Sequence, residues 1–357
     1  MSMYDVNGAA ADGRVLRGDD GAADVDAGPS LIVVGGPTAV GKSSLALELA
    51  ERLGGELVSC DSVQVYRGLD IGSAKPTSEE QARVRHHLID LLDPREIYSA
   101  ARFAEDADAA IVDITARGRV PIVVGGTGLY LRALLYGLSA APGRDDAVRA
   151  RWEAVGDRDG AAALHAALAL VDPSSAERLH PNDRVRVVRA LEVFELTGRP
   201  LSEQQQEHGF RERRYRFAAL ALTLERAALD RLIDERVVAM VEAGLIDEVR
   251  GLLEAGVPPD APALAAIGYR QTVAWLESGA PVAELVDQVA RDTRAFARRQ
   301  MVWFRKEPGV RWLDAATLRG ERAGVVDELE RALRGFLGGG GFAIGASCEA
   351  DARAGTC

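Results

Sequence analysis

Gly36-Pro37-Thr38-Ala39-Val40-Gly41-Lys42-Ser43 has the residue types and the spacing that hold a chain of phosphates. The string fits G-x-x-x-x-G-K-[ST]. Its glycines let backbone amides turn inward around phosphate oxygens, and the helix that must follow adds its positive end. Lys42 supplies a point charge, and the Ser43 hydroxyl is a ligand for Mg2+. The motif identifies a phosphate chain and leaves its use open, because a nucleotide kinase, an NTPase and a diphosphate-releasing transferase all need one. A carboxylate is expected beside it, to hold magnesium or to take a proton. Asp61 and Asp90 both end apolar runs and both qualify.

Such a loop works only between a strand and a helix. Leu31-Ile32-Val33-Val34 is the strand. Leu45, Leu49 and Leu53 then repeat on one helical face, until Gly54-Gly55 stops the helix. Leu57 to Cys60 reads as a second strand ending at Asp61, and His87 to Asp90 as a short third. Ser99 is an N-cap for a helix to about Ala116. Val120 to Val124 is a further strand, ending in Gly125-Gly126-Thr127-Gly128. Apolar strands alternating with helices predict an α/β fold, a P-loop NTPase-like parallel sheet flanked by helices. Ligands gather at the C-terminal strand ends of such sheets, where Gly36, Asp61 and Thr127 all fall.

The remaining organisation follows from texture. Residues 1–29 carry Asp19, Asp20, Asp24 and Asp26 without an apolar core, so they read as a disordered extension and not a secretory signal. The catalytic core is expected in two parts, 30–139 and 214–337. The stretch 140–213 between them reads as a helical insertion. Phe217 to Thr223 returns to the sheet as a strand and helices follow to about Leu337, before a low-complexity tail over 338–357 that is expected to be disordered. No run approaches the ~18 apolar residues of a membrane helix. The net charge of −11 argues against indiscriminate nucleic-acid binding but not against a local basic surface. Cys60, Cys348 and Cys357 suggest reduced thiols in a cytoplasmic protein and no disulfide framework.

Several strings together resemble the tRNA dimethylallyltransferase family, also called tRNA isopentenyltransferase. They are Gly36 to Ser43, Ser59 to Pro76 (SCDSVQVYRGLDIGSAKP), His86 to Asp90 (HHLID), Asp93-Pro94, Tyr98-Ser99-Ala100 and Val124 to Tyr130 (VGGTGLY). Further along come His180 to Phe194 (HPNDRVRVVRALEVF), Ala266 to Gln271 (AIGYRQ) and Arg298 to Arg305 (RRQMVWFR). The resemblance spans roughly Leu31 to Leu313.

What the resemblance implies is specific. The phosphate loop holds dimethylallyl diphosphate, and whether it also takes ATP or another nucleotide stays open. The acceptor is N6 of the adenosine 3′ of the anticodon, in tRNAs reading codons that start with U. Asp61 matches the general base, with a magnesium ligand as the competing role. Thr127 matches a threonine at the donor phosphates, and Arg236 an arginine reaching the diphosphate, although by itself it reads as a helix charge. Contacts to the tRNA anticodon stem-loop fall on Asp61, Ser62, Val63, Gln64, Thr127, Arg149, Arg186 and Arg189. They continue on Gly268, Tyr269, Arg270, Arg298, Arg299, Gln300, Trp303 and Arg305. If Leu285 to Lys306 is helical, Arg291, Arg294, Arg298 and Arg305 share an arc of about 60°, opposite Leu285, Val289, Phe296 and Trp303. His86 and His87 read as structural. The enzyme is expected to be a monomer using Mg2+. A P-loop small-molecule kinase is the competing function, with the insertion as its lid.

Overall fold

The computed structural model describes residues 28–345 apart from Ala140 and Arg211. Nearly all of the expected N-terminal extension, and the tail beyond 345 with Cys348 and Cys357, lie outside the described residues. Six parallel strands form one sheet: β1 (Ser30–Gly35), β2 (Gly55–Cys60), β3 (His86–His87), β4 (Val120–Gly125), β5 (Arg216–Thr223) and β6 (Val310–Asp314). Their spatial order is β3-β2-β4-β1-β5-β6, so β1 and its loop lie inside the sheet between β4 and β5.

The helices before the insertion are α1 (Lys42–Leu53), α2 (Ser78–Arg83), α3 (Ala100–Ala116) and α4 (Gly128–Tyr136). The insertion contributes α5 (Asp146–Val171), α6 (Pro173–Arg178), α7 (Arg184–Thr197) and α8 (Leu201–His208). After β5 come α9 (Arg226–Glu242), α10 (Leu245–Glu254), α11 (Tyr269–Ser278) and α12 (Val282–Phe304), then α13 (Ala315–Gly320) and α14 (Arg322–Leu337) beyond β6.

The apolar run of β1 is explained by burial on both faces. Leu31 and Val33 join a core with α3, α4 and α10, while Ile32 and Val34 face α1, α9, α12 and α14. The expected parallel sheet covered on two sides is therefore the observed one. Ser99 caps α3, its Oγ accepting from the Arg102 amide at 3.1 Å, and Gly54 ends α1 in the left-handed region. A third apolar cluster, built on Leu164, Leu168, Val187, Val188 and Leu191, lies within α5 to α8.

Three local expectations differ from the structure. The strand expected over His87 to Asp90 is only His86–His87, because Leu88 and Asp90 take positive φ and turn the chain out of the ladder. The run expected to be helical after β5 contains β6, which pairs with β5 from Ala219↔Val310 to Thr223↔Asp314. Residues 338–345 of the tail are packed: Arg216 donates to the Gly340 carbonyl at 2.6 Å, and Phe342 and Ile344 join the core beside α14.

Candidate active site at the carboxyl ends of the strands

The phosphate loop is shaped by its neighbours. At Gly36, with φ of 129°, a Cβ would stand 2.7 Å from the Leu222 carbonyl oxygen on β5. Ala39 and Gly41 also take positive φ, and α1 begins at Lys42. Alternating handedness of this kind forms a concave array of amides suited to an anion. Gln300 of α12 fastens the loop from outside. Its Oε1 accepts from the Thr38 amide at 2.9 Å, and its Nε2 donates to the Gly126 carbonyl at 3.0 Å. A Cβ on Gly126 would stand 2.2 Å from that Nε2, so a larger residue there would displace the Gln300 amide. Gly128 faces the Trp303 ring in the same way, also at 2.2 Å.

Lys42 curls back and donates to the Pro37 carbonyl at 2.7 Å. Its pKa falls from 10.5 to about 8, first because of burial and then because of the Arg236 charge, with Asp61 opposing both. Burial likewise lowers the Arg236 pKa, and Asp61 opposes it. These three charges therefore sense one another where β1, β2 and α9 meet. Ser43 is exposed in the first turn of α1. Asp61 follows β2, and its Oδ1 accepts from the Val63 amide at 2.8 Å and the Gln64 amide at 3.3 Å. No hydrogen-bond donor reaches Oδ2 among the described residues. Thr127 begins α4, its amide donating to the Cys60 carbonyl beside Asp61 at 3.4 Å, and its hydroxyl caps nothing.

A cleft of about 530 Å³ opens here. Thr38, Asp61, Ser62 and Arg236 line it together with the apolar Ile97, Ile233, Val237, Met240 and Phe296. Val63, Gly268, Arg270 and Arg299 also line it, so part of the expected RNA-contact set converges on the same space. Arg270 pairs with Asp292 at 2.8 Å, and Arg299 lies 5.8 Å from the Phe296 ring.

Other expected contacts are placed differently. Tyr269 is fully buried and donates to Glu248, which corrects its assignment as a surface contact: its ring faces the core and not solvent. Gln300 is buried and committed to the phosphate loop. Gln64 donates to the Ser73 and Ala74 carbonyls. Arg149 and Arg189 both pair with Glu192, a carboxylate with no exposure, so their charges organise the insertion. Arg186 is exposed and pairs with Asp183.

Trp303 lines a second cavity, of about 680 Å³, together with Arg132, Arg178, Arg186 and Phe210. On α12 the expected arginine stripe is partly consumed within the protein, since Arg294 pairs with Asp234. Arg305 is half-buried, and Arg298 is exposed next to the cleft-lining Arg299. Asp90 is spoken for as well: it pairs with the buried Lys75 side chain at 2.5 Å. His87 bonds Glu56 at 2.7 Å, a structural role.

Sequence reasoning missed the cleft wall of Tyr66, Tyr98, Tyr130 and Ser73, although all four stand inside the quoted strings. It also missed Glu248, for which an acid on an amphipathic helix gives no signal.

A phosphate loop after the central β1, with a carboxylate after β2, defines a P-loop-type α/β enzyme. The profile of a family described as IPP transferase matches residues 64–307. A tRNA dimethylallyltransferase of Anaeromyxobacter dehalogenans is 56% identical over 283 residues, covering 79% of this chain and 94% of that protein. Another, of Geobacter sulfurreducens, is 51% identical over 284 residues, covering 80% and 91%. Among solved structures, a tRNA isopentenylpyrophosphate transferase from Bacillus halodurans matches with TM-score 0.64 and 39% identity, over 87% of this chain and 98% of that one. A eukaryotic dimethylallyltransferase acting on tRNA gives 0.73 at 28% identity, over 88% and 81%. The chain belongs to the IPP transferase family and is a transferase.

Proposed function

We propose that this chain transfers the dimethylallyl group of dimethylallyl diphosphate to N6 of the adenosine 3′ of the anticodon, in tRNAs reading codons that start with U, and releases diphosphate. The observation that carries the reading is the cleft that joins Thr38 of the phosphate loop, Asp61 and Arg236 to apolar residues. A donor with a charged head and a branched five-carbon body matches that lining.

The geometry supports the following roles. An exocyclic adenine amine is a weak nucleophile and loses a proton as its new C–N bond forms. Asp61 takes that proton on Oδ2, while the Val63 and Gln64 amides fix Oδ1. Departure of diphosphate concentrates negative charge on the leaving oxygen. Lys42, Arg236, the loop amides and Thr127 stabilise it. For Mg2+ the donor set fits: Ser43 offers an exposed hydroxyl, and no group of three or more acidic, His or Cys side chains forms a metal cage among the described residues. Ser43 would hold such an ion, which when bound would neutralise diphosphate charge. Arg298 and Arg299 meet RNA phosphates at the rim, and Gly268 and Arg270 border the space for the extruded base. The reaction belongs in the cytoplasm, with one chain sufficient; no helix among the described residues is long and apolar enough to cross a membrane.

The test mixes the protein, Mg2+, labelled dimethylallyl diphosphate and unmodified tRNA, with an ATP phosphoryl-transfer control. Label in tRNA without ATP is the expected result. ATP consumption with no label in any tRNA moves the small-molecule kinase into first place.

A further inference from the structure

Gly268 and Arg270 line the cleft, yet Tyr269 between them is turned wholly inward. Its hydroxyl donates to Glu248 Oε1 of α10 at 2.6 Å. The same carboxylate accepts three successive backbone amides: Asp70 at 3.0 Å and Ile71 at 2.7 Å on Oε2, and Gly72 at 3.3 Å on Oε1. Three amides aimed at one carboxylate form a fixed turn, because each orphaned N–H would cost a hydrogen bond. The Tyr269 ring completes the fit, since a Cβ on Gly72 would stand 2.6 Å from it. Burial and the adjacent carboxylate push the Tyr269 phenol far above its ordinary pKa, so it remains a donor at every working pH.

The turn matters for what hangs from it. Gly72 and Ser73 form part of the cleft wall. The Ser73 and Ala74 carbonyls accept the Gln64 side-chain amide at 3.3 and 3.2 Å, and Ser59 Oγ bonds Gln64 Oε1 at 2.8 Å. The Gln64 backbone amide in turn donates to Asp61 Oδ1. Hydrogen bonds, joined by the 70–74 backbone and by Gln64 itself, thus connect Tyr269 and Glu248 to Asp61.

We propose that Tyr269 and Glu248 are positioning residues: they clamp residues 70–72 and so set the orientation of the Asp61 carboxylate, and Tyr269 does not contact RNA. The proposal rests on the transferase reading above, so its test has one arm independent of turnover. The variants are Glu248→Gln, which keeps one acceptor oxygen, and Tyr269→Phe, which keeps the ring that fills the core.

Amide exchange of Asp70, Ile71 and Gly72 in the free full-length protein should accelerate in both variants. Unchanged protection overturns the clamp whether or not the chain transfers anything. In the transfer assay, kcat should fall about 100-fold for Glu248→Gln, the scale of a small misplacement of a reacting group. For Tyr269→Phe it should fall about tenfold, the worth of one hydrogen bond to a charged group. KM for the donor and Kd for tRNA should stay at their wild-type values, a split that general loss of structure does not give. An unchanged kcat, or weakened tRNA binding in Tyr269→Phe, overturns the positioning role.

Discussion

In the proposed mechanism Asp61 and Lys42 have opposite duties, and their variants should separate cleanly. Asp61→Asn keeps the size of the side chain and removes its basicity. Single-turnover transfer should fall by about 10²–10⁴, the range of general-base catalysis, with tRNA affinity unchanged in a filter-binding titration. Lys42 gives a pH prediction whose sign comes from burial. The unfolded chain holds this proton up to pH 10.5 and the free folded chain only to about 8. Below pH 8 the folded state therefore confines a charge that the unfolded state solvates, and the penalty fades between 8 and 10.5. Lys42→Met should raise the Tm of the donor-free protein at pH 7, and that advantage should shrink as pH climbs through the window. The same variant should lose donor affinity in a dimethylallyl diphosphate titration. Asp61, Lys42 and Ser43 were legible because strand-end position and fixed spacing both pointed at them. Tyr269 was not, because a residue type suited to stacking says nothing about direction, and the φ of 94° at Gly268 turns the chain just ahead of it.

At the scale of elements, α12 and the start of α4 make one joint. Gly128 exists to admit the Trp303 ring, so Gly128→Ala should destabilise by about 1–3 kcal/mol through overpacking. Trp303→Leu should relieve much of that cost, and the double mutant should be measurably non-additive in urea unfolding. The sequence presented these strings as separate marks of kinship; the structure shows them as two halves of a packing contact. Apolar periodicity placed α1, and the Ser99 N-cap placed α3. Periodicity missed β6, five residues whose ladder is made with β5, some ninety positions earlier. It overran β3, where positive φ at Leu88 and Asp90 had no local signal in the residue types. For α12 it found the apolar edge at Leu285 and Val289, but Asp234 of α9 takes up Arg294, a pairing that only tertiary structure reveals.

For the whole molecule, a net charge of −11 means that attraction for RNA must come from a local patch and not from the overall field. Neutralising Arg298 or Arg299 should reduce the salt slope of tRNA binding by about 0.7 per lost phosphate contact, seen in titrations from low to moderate salt. An unchanged slope would remove that arginine from the interface. The parallel sheet follows from chain texture, but the order of its strands and the closing of the phosphate loop do not, since the loop depends on Gln300, 262 residues beyond Thr38. That distance has a consequence during translation. At about 5–20 residues per second, the ribosome releases GPTAVGKS roughly 13–50 s before it releases the glutamine that fastens it. Until then Thr38 lacks its partner, and Gly35 lacks the Phe304 ring that covers it. A nascent chain, or one terminated before Phe304, thus carries the full phosphate motif without a finished pocket.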